Sequence, residues 1–208
     1  NINFSNNNFT KNTATKSGGA LNGVTNSGGA GVNVGAIISN IHNCTFDANS
    51  AQTYGGGAIA NSASNDSSNT LTVDSSTFTN NTAQWYGGAI DSSQNNGTVK
   101  LIMSNSIFTK NSAHFGGAIN NQDSILTIDT STFDANSASS GSAIGNNRGI
   151  MTLSNTTVAN NFDLDQNGLG GVIFNNDTAT TITNSTFDSN NSSTGIFYFE
   201  GDQNTITN

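Results

Sequence analysis

The run Asp163-Leu-Asp165-Gln-Asn167-Gly168-Leu169 places side-chain oxygens on alternate residues ahead of a glycine. That is the first half of a calcium loop. Asp163, Asp165 and Asn167 can turn towards one centre, Gly168 permits the sharp bend, and the carbonyl of Leu169 can follow as a fourth ligand. Position twelve of such a loop, ordinarily a bidentate glutamate, is Phe174, so the site is weak unless Asp177 or water completes it. The alternative is an Asp/Asn/Gly turn that holds no metal.

A second constellation is aromatic. Tyr54, Trp85-Tyr86 and His114-Phe115 each stand just ahead of a glycine pair. An exposed stripe of such rings stacks well on sugar faces; an aromatic ladder that closes a turn is the plainer reading.

Catalysis would need clustered carboxylates beside a base. Asp74 and Asp129 both lie four residues before a phenylalanine, but the repeat between them offers Ser104; Asp47, Asp134 and Asp188 each follow a phenylalanine at wider intervals. Arg148 is the only arginine, and His42 and His114 have no evident carboxylate partner in the sequence. The expectation is solvated carboxylates and no catalytic residues, with a polysaccharide-active lyase or hydrolase as the runner-up. Threonines recur six residues before the phenylalanines (Thr72, Thr127, Thr152, Thr181) and directly before them (Thr45, Thr77, Thr132, Thr157, Thr186), as an ice-binding face would require, but Ile102 and Ile107 interrupt both columns.

These groups are positioned by a repeat. Phe-x-x-Asn occurs at Phe9/Asn12, Phe46/Asn49, Phe78/Asn81, Phe108/Asn111, Phe133/Asn136 and Phe187/Asn190, with Val158/Asn161 as a substituted copy. Gly-Gly-Ala-Ile or a close variant follows at Gly18, Gly56, Gly87, Gly116, Gly141 and Gly170. Apolar residues five positions before each phenylalanine and, except at Ser39 and Thr180, seven before it alternate with mostly polar ones with the period of a strand. The phenylalanine column advances by 37, 32, 30, 25, 25 and 29 residues, and the shortest steps suit one coil of a parallel β-helix with three short strands. About seven coils at ~4.8 Å each make a rod roughly 30–35 Å long. Asn at the fourth position of the motif suits a left-handed turn and side-chain bonds to the next coil, the Ile of Gly-Gly-Ala-Ile points inward, and Cys44, in a column of serines and a threonine, is a small buried residue. The longer amino-terminal coils carry their extra residues at one corner, which reads as polar loops on the edge where a ligand is to be sought.

Composition agrees with a solenoid. The 208 residues are 33% hydrophobic and 9% charged, with 23 glycines and no proline, whereas disordered chains favour charge and proline. One repeat domain, residues 1–208, is the economical reading. Five basic residues against 13 acidic ones give a net charge of −8, and the basic residues are scattered, so neither nucleic acid nor an anionic membrane is an expected partner. No apolar run reaches transmembrane length. Eleven Asn-x-Ser/Thr sequons, among them Asn65, Asn96 and Asn176, are mostly compositional in so Asn-rich a chain, though some are surface acceptors if the host glycosylates.

The Phe-x-x-Asn and Gly-Gly-Ala-Ile motifs resemble those of the polymorphic membrane protein family of autotransporter passengers, and the chain is similar to the Asn/Thr-rich adhesin-like surface proteins of methanogenic archaea. The resemblance covers nearly the whole chain, departing at Val158, at Gly141-Ser and in the last copy, Thr194-Gly-Ile-Phe. It implies a right-handed parallel β-helix on a long extracellular, cell-surface protein engaged in adhesion, with glycans or other surface molecules as partners. It carries no catalytic residues over. Both ends, Asn1-Ile2-Asn3-Phe4 and Thr205-Ile206-Thr207-Asn208, fall in the same strand of the repeat. The expectation is that coils continue, in a longer chain or by head-to-tail stacking into a filament through the apolar run Phe197-Tyr198-Phe199.

Overall fold

The computed structural model describes residues 2–24, 39–64, 68–95, 97–164, 170–177, 179–201 and 203–208. They form a parallel β-solenoid with no helix, as the repeat predicts. The alternating runs become strands because every second residue has a dry side to face. In Thr98–Ser104, Val99, Leu101 and Met103 are buried while Thr98, Lys100 and Ile102 point out. Among the described residues three wide faces carry eight, seven and seven strands. The first runs from Ile2–Ser5 to Asn204–Thr207, the second from Asn8–Thr10 to Thr186–Asp188, and the third from Leu21–Val24 to Phe197–Glu200. A narrow face of two-residue strands, including Thr13–Ala14, Ser50–Ala51 and Thr82–Ala83, closes each coil between the second and third.

Register is strict, so each motif position becomes a column. Phe9, Phe46, Phe78, Phe108 and Phe133 stack with centroids 4.7–4.9 Å apart. Val158 interrupts this column before Phe187. Leu21, Ile59, Ile90, Ile119, Ile144 and Ile173 face them from the third sheet, and all are buried. The Phe-x-x-Asn asparagines form a ladder inside the corner. The backbone N–H and Nδ2 of Asn81 both donate to Asn111 Oδ1 at 3.0 Å, and Asn111 repeats the pattern on Asn136 at 2.9 and 3.0 Å. Nδ2 of each also donates to the carbonyl of the phenylalanine one coil back, as from Asn111 to Phe78 at 3.0 Å. The expected bonds to the next coil are therefore present, but the left-handed residue is the one before the asparagine: Lys11, Ala48, Asn80, Lys110, Ala135, Asn160 and Ser189 have φ between 52° and 57°. A buried, doubly bonded asparagine needs its own backbone aligned with the ladder, so the bend falls one residue earlier.

Cys44 is buried, as expected, at the end of a second polar ladder in which Ser76, Ser106, Ser131, Thr156 and Ser185 each receive a backbone N–H from the coil before. Its Sγ donates to the His42 carbonyl at 3.3 Å, where the others use a hydroxyl. The extra residues of the second and third coils differ from expectation. They mostly lengthen strands, giving Ile59–Ser64, Ser68–Asp74, Ile90–Asn95 and Thr98–Ser104, whose additional inward residues Ala63 and Val99 are buried between the first and third faces. Apolar residues two apart turn what would be a loop into an extension of both sheets.

Candidate ligand-binding ridge

Across four coils the residues two before the first glycine of the pair form a row: Lys16, Tyr54, Trp85 and His114. Backbone bonds tie it together, with Tyr54 N–H donating to Lys16 O at 3.1 Å and Trp85 N–H to Tyr54 O at 3.0 Å. The first glycine holds the bend; Gly56, for instance, has φ +69° and no space for a Cβ beneath the Ile59 carbonyl. Tyr54 and Trp85 are 54% and 44% exposed. Trp85 is braced edge-on by His114, centroids 5.1 Å apart at 82°.

The next residue of each coil, Gly55, Tyr86, Phe115 and Ser140 in register, folds back over the outer side of the third sheet. Tyr86 is 38% exposed and meets Phe115 edge-on at 6.4 Å. Phe115 in turn lies against Gly145 and Phe174, and Phe174 stacks on Tyr198 at 5.0 Å. The outer row is thus an exposed stripe at Tyr54 and Trp85, whereas the inner row packs down a turn. Beneath Gly55 sits Asp91, half-buried, with Asn120 Nδ2 donating to its Oδ1 at 2.7 Å. Withdrawal of this carboxyl from water pushes its pKa up to about 6, against the hydrogen bonds from Asn120 and Ser93. Sequence reasoning missed it, because nothing in its residue type says that the corner folds over the sheet there.

Asp74, Asp129 and Asp134 are each taken up by the next coil. Asp74 and Asp129 do lie two coils apart with Ser104 between them. Asp74 Oδ1 accepts from Asn105 Nδ2 at 2.9 Å and Ser104 Oγ at 2.8 Å, and these bonds hold its pKa down to about 2. Asp129 is lowered in the same way by Asn155, Ser154 and Thr130. Asp134 Oδ1 takes Asn160 Nδ2 at 2.7 Å. His42, expected to lack a partner, has one: its Nδ1 lies 2.9 Å from Asp74 Oδ2. Both residues stand four before a phenylalanine, which was the legible signal. Arg148 makes a two-point pair with Asp123, at 2.8 and 2.7 Å.

Of the calcium-loop residues, Asp165, Asn167 and Leu169 lie outside the described residues, as do Asn65 and Asn96. Asp163 pairs with Ala138 and so occupies the column filled in earlier coils by Ala14, Ala51, Ala83 and Ala113. Ser192 Oγ donates to its Oδ2 at 2.5 Å, but its Oδ1 is buried with no hydrogen-bond partner among the described residues, and burial raises the pKa. Asp177 does not stand beside Asp163. It follows the strand Ile173–Asn176 in the column of Asp123 and Arg148, at a different corner. Phe174 at position twelve is packed among rings and offers no oxygen from its side chain. No group of three or more His, Cys, Asp or Glu among the described residues is placed to hold a metal.

Comparison with protein families matches residues 8–24 and 75–93 to the Chlamydia polymorphic membrane protein repeat. Both segments contain a Phe-x-x-Asn, the narrow-face strand and the glycine pair, so the matched unit is the corner that carries the ridge. No curated protein and no solved structure matches the chain. The motif resemblance and the family match thus agree that two segments of this β-solenoid match the repeat of the Chlamydia polymorphic membrane proteins.

Proposed function

We propose that the chain is an extracellular, cell-surface adhesin-like repeat protein whose aromatic ridge binds glycans. The observation that carries this reading is the open row of Tyr54 and Trp85 on consecutive coils, exposed where a globular core would bury them. The competing reading, a polysaccharide lyase or hydrolase, is disfavoured because Asp74, Asp129 and Asp134 are engaged by Ser and Asn of the following coil instead of by one another. A glycan panel separates the two. Saturable binding without turnover, weakened about tenfold or more by Trp85→Ala and Tyr54→Ala, is the expected outcome. Turnover abolished by changing Asp129 or Asp134 would replace this reading with the enzymatic one.

We further propose a calcium ion at Asp163, with Asp165, Asn167 and the Leu169 carbonyl as its other ligands. The buried Oδ1 of Asp163 favours it, since an unpartnered carboxylate oxygen in an alanine column is costly unless a cation meets it. Millimolar calcium is expected to raise the melting temperature of the metal-free protein, and Asp163→Ala to remove the rise. No heat on calorimetric titration would dispose of the site. Head-to-tail stacking of copies is proposed from the outermost strands of the wide faces, whose outer edges have no partner among the described residues. Stacking predicts sedimentation that depends on concentration, and a single species at all concentrations would exclude it.

A further inference from the structure

The ridge borders the narrow face, and the charges along that face are unlike those of the rest of the chain. Coil by coil, its outward positions read Lys11, Thr13 and Lys16; Ser50 and Tyr54; Thr82 and Trp85; Lys110, Ser112 and His114, in register through the pairs Thr13–Ser50, Ser50–Thr82 and Thr82–Ser112. Of the five basic residues in a chain of net charge −8, Lys11, Lys16 and Lys110 are gathered here. All three are exposed, and the ion pairs among the described residues, His42–Asp74 and Arg148–Asp123, leave them out. Residues 11–17, 48–55, 80–86 and 110–115 contain no Asp or Glu, and neighbouring Asp47 is tied to Asn80 Nδ2 at 3.1 Å. Lysines thus stand on the first and fourth coils of the face, which continues beyond them through Ser137–Ala138 and Phe162–Asp163, with two exposed rings and a line of hydroxyls between them.

We propose that this face binds an anionic oligosaccharide laid parallel to the solenoid axis, its sugar rings on Tyr54 and Trp85 and its acid groups at Lys11 and Lys16 at one end and at Lys110 at the other. The inference rests on the glycan-binding reading of the ridge and adds charge, direction and length to it. The coil rise, given by phenylalanine centroids 4.8, 4.7 and 4.7 Å apart, is close to the length of one pyranose unit, so one sugar meets each coil. From the first coil to the fourth is roughly 14 Å at that spacing, which sets a minimum of about four sugars. Thr13, Ser50, Thr82 and Ser112 offer hydroxyls to each unit in turn, and Thr82 Oγ1 already donates to Ser50 Oγ at 3.2 Å. A lysine is a point charge that takes carboxylate and sulfate alike, so the shared feature of the ligand is its negative charge.

The test titrates the intact protein with three tetrasaccharide probes of equal length: an oligogalacturonate, a sulfated oligosaccharide and a neutral one. Either anionic probe is expected to bind at least about tenfold tighter than the neutral one at low salt, and to lose that advantage near 1 M salt, where the screening length falls to about 3 Å. Lys16→Gln should weaken anionic binding roughly two- to fivefold. The triple variant Lys11→Asn, Lys16→Gln, Lys110→Asn should erase the preference while neutral binding persists; asparagine suits the left-handed backbone at 11 and 110 (φ 57° and 55°), so folding is kept. Which anionic probe binds tells carboxylate from sulfate. Equal affinity for all three probes, or a triple variant that keeps the preference, overturns this inference and leaves the glycan reading standing. No binding of any probe overturns both.

Discussion

Replacing Asn111 by alanine is expected to destabilise the protein by about 3–5 kcal/mol, a large share of the ~5–15 kcal/mol that holds a typical domain together. The residue is fully buried and joins three coils. Its Oδ1 accepts both the backbone N–H and Nδ2 of Asn81, while its Nδ2 donates to Phe78 O and Asn136 Oδ1. Alanine removes these partners together and supplies none, and each buried group left unsatisfied costs about 1–3 kcal/mol. Water has no route to them through a stack of rings and backbone. Asn190, half-buried, donates from Nδ2 to Val158 O at 2.8 Å and accepts from Asn161, so Asn190→Ala should cost distinctly less. Guanidinium denaturation of the two variants checks the ordering. Because coils interact mainly with their neighbours, amide exchange at residues 81 and 136 should rise first in Asn111→Ala. A loss below about 1 kcal/mol would mean that the asparagine ladder decorates the corner without holding it.

That ladder also marks how far the sequence could be read. Phe108 and Ile119 were legible as core because their apolar columns recur at strand spacing, and burial of such a column leaves few alternatives. Asn111 was legible as a bridge to the next coil. The left-handed bend one residue earlier was not, since Ala48, Lys110 and Ala135 are poor candidates for positive φ and adopt it only because the stacked corner compels them. The His42–Asp74 pair could have been found by setting neighbouring columns side by side. Asp91 could not. Its environment depends on how Gly55 and Tyr86 fold over the third sheet, which follows from corner length and packing and leaves no mark in the residues around it. Of the site residues, Tyr54 and Trp85 stand exposed in the expected row, whereas the lysines that flank them were read as scattered, because their sequence separation hides that Lys16 and Lys110 border one face.

The stability of the protein is expected to fall as pH rises from about 4 to about 6, and Asp91→Asn to abolish the fall. In the unfolded chain the Asp91 carboxyl loses its proton near 3.8, while in the folded one enclosure beneath Gly55 raises the pKa to about 6. Between those values the folded state holds a proton that the unfolded state has released, so each step up in pH favours unfolding. Above the folded pKa the full difference is reached, about 3 kcal/mol at 1.36 kcal/mol per pH unit. Asp74 and Asp129 act with the opposite sign and in a lower window. Their folded pKa values are depressed, that of Asp74 to about 2, so the stability they contribute is present above about 4 and lost as pH falls towards 2. The native chain should therefore be most stable near pH 4. Asparagine at position 91 keeps an acceptor for Asn120 Nδ2, carries no charge to bury, and should match the native protein near pH 4 while exceeding it at pH 8 by about 3 kcal/mol. Melting curves of both proteins from pH 3 to 8 read this directly. A native curve that stays flat between pH 4 and 7, or an Asp91→Asn protein no more stable than native at pH 8, would show that water reaches the carboxyl, and that the corner carrying Tyr54 and Tyr86 is seated less tightly on the sheet than its packing indicates.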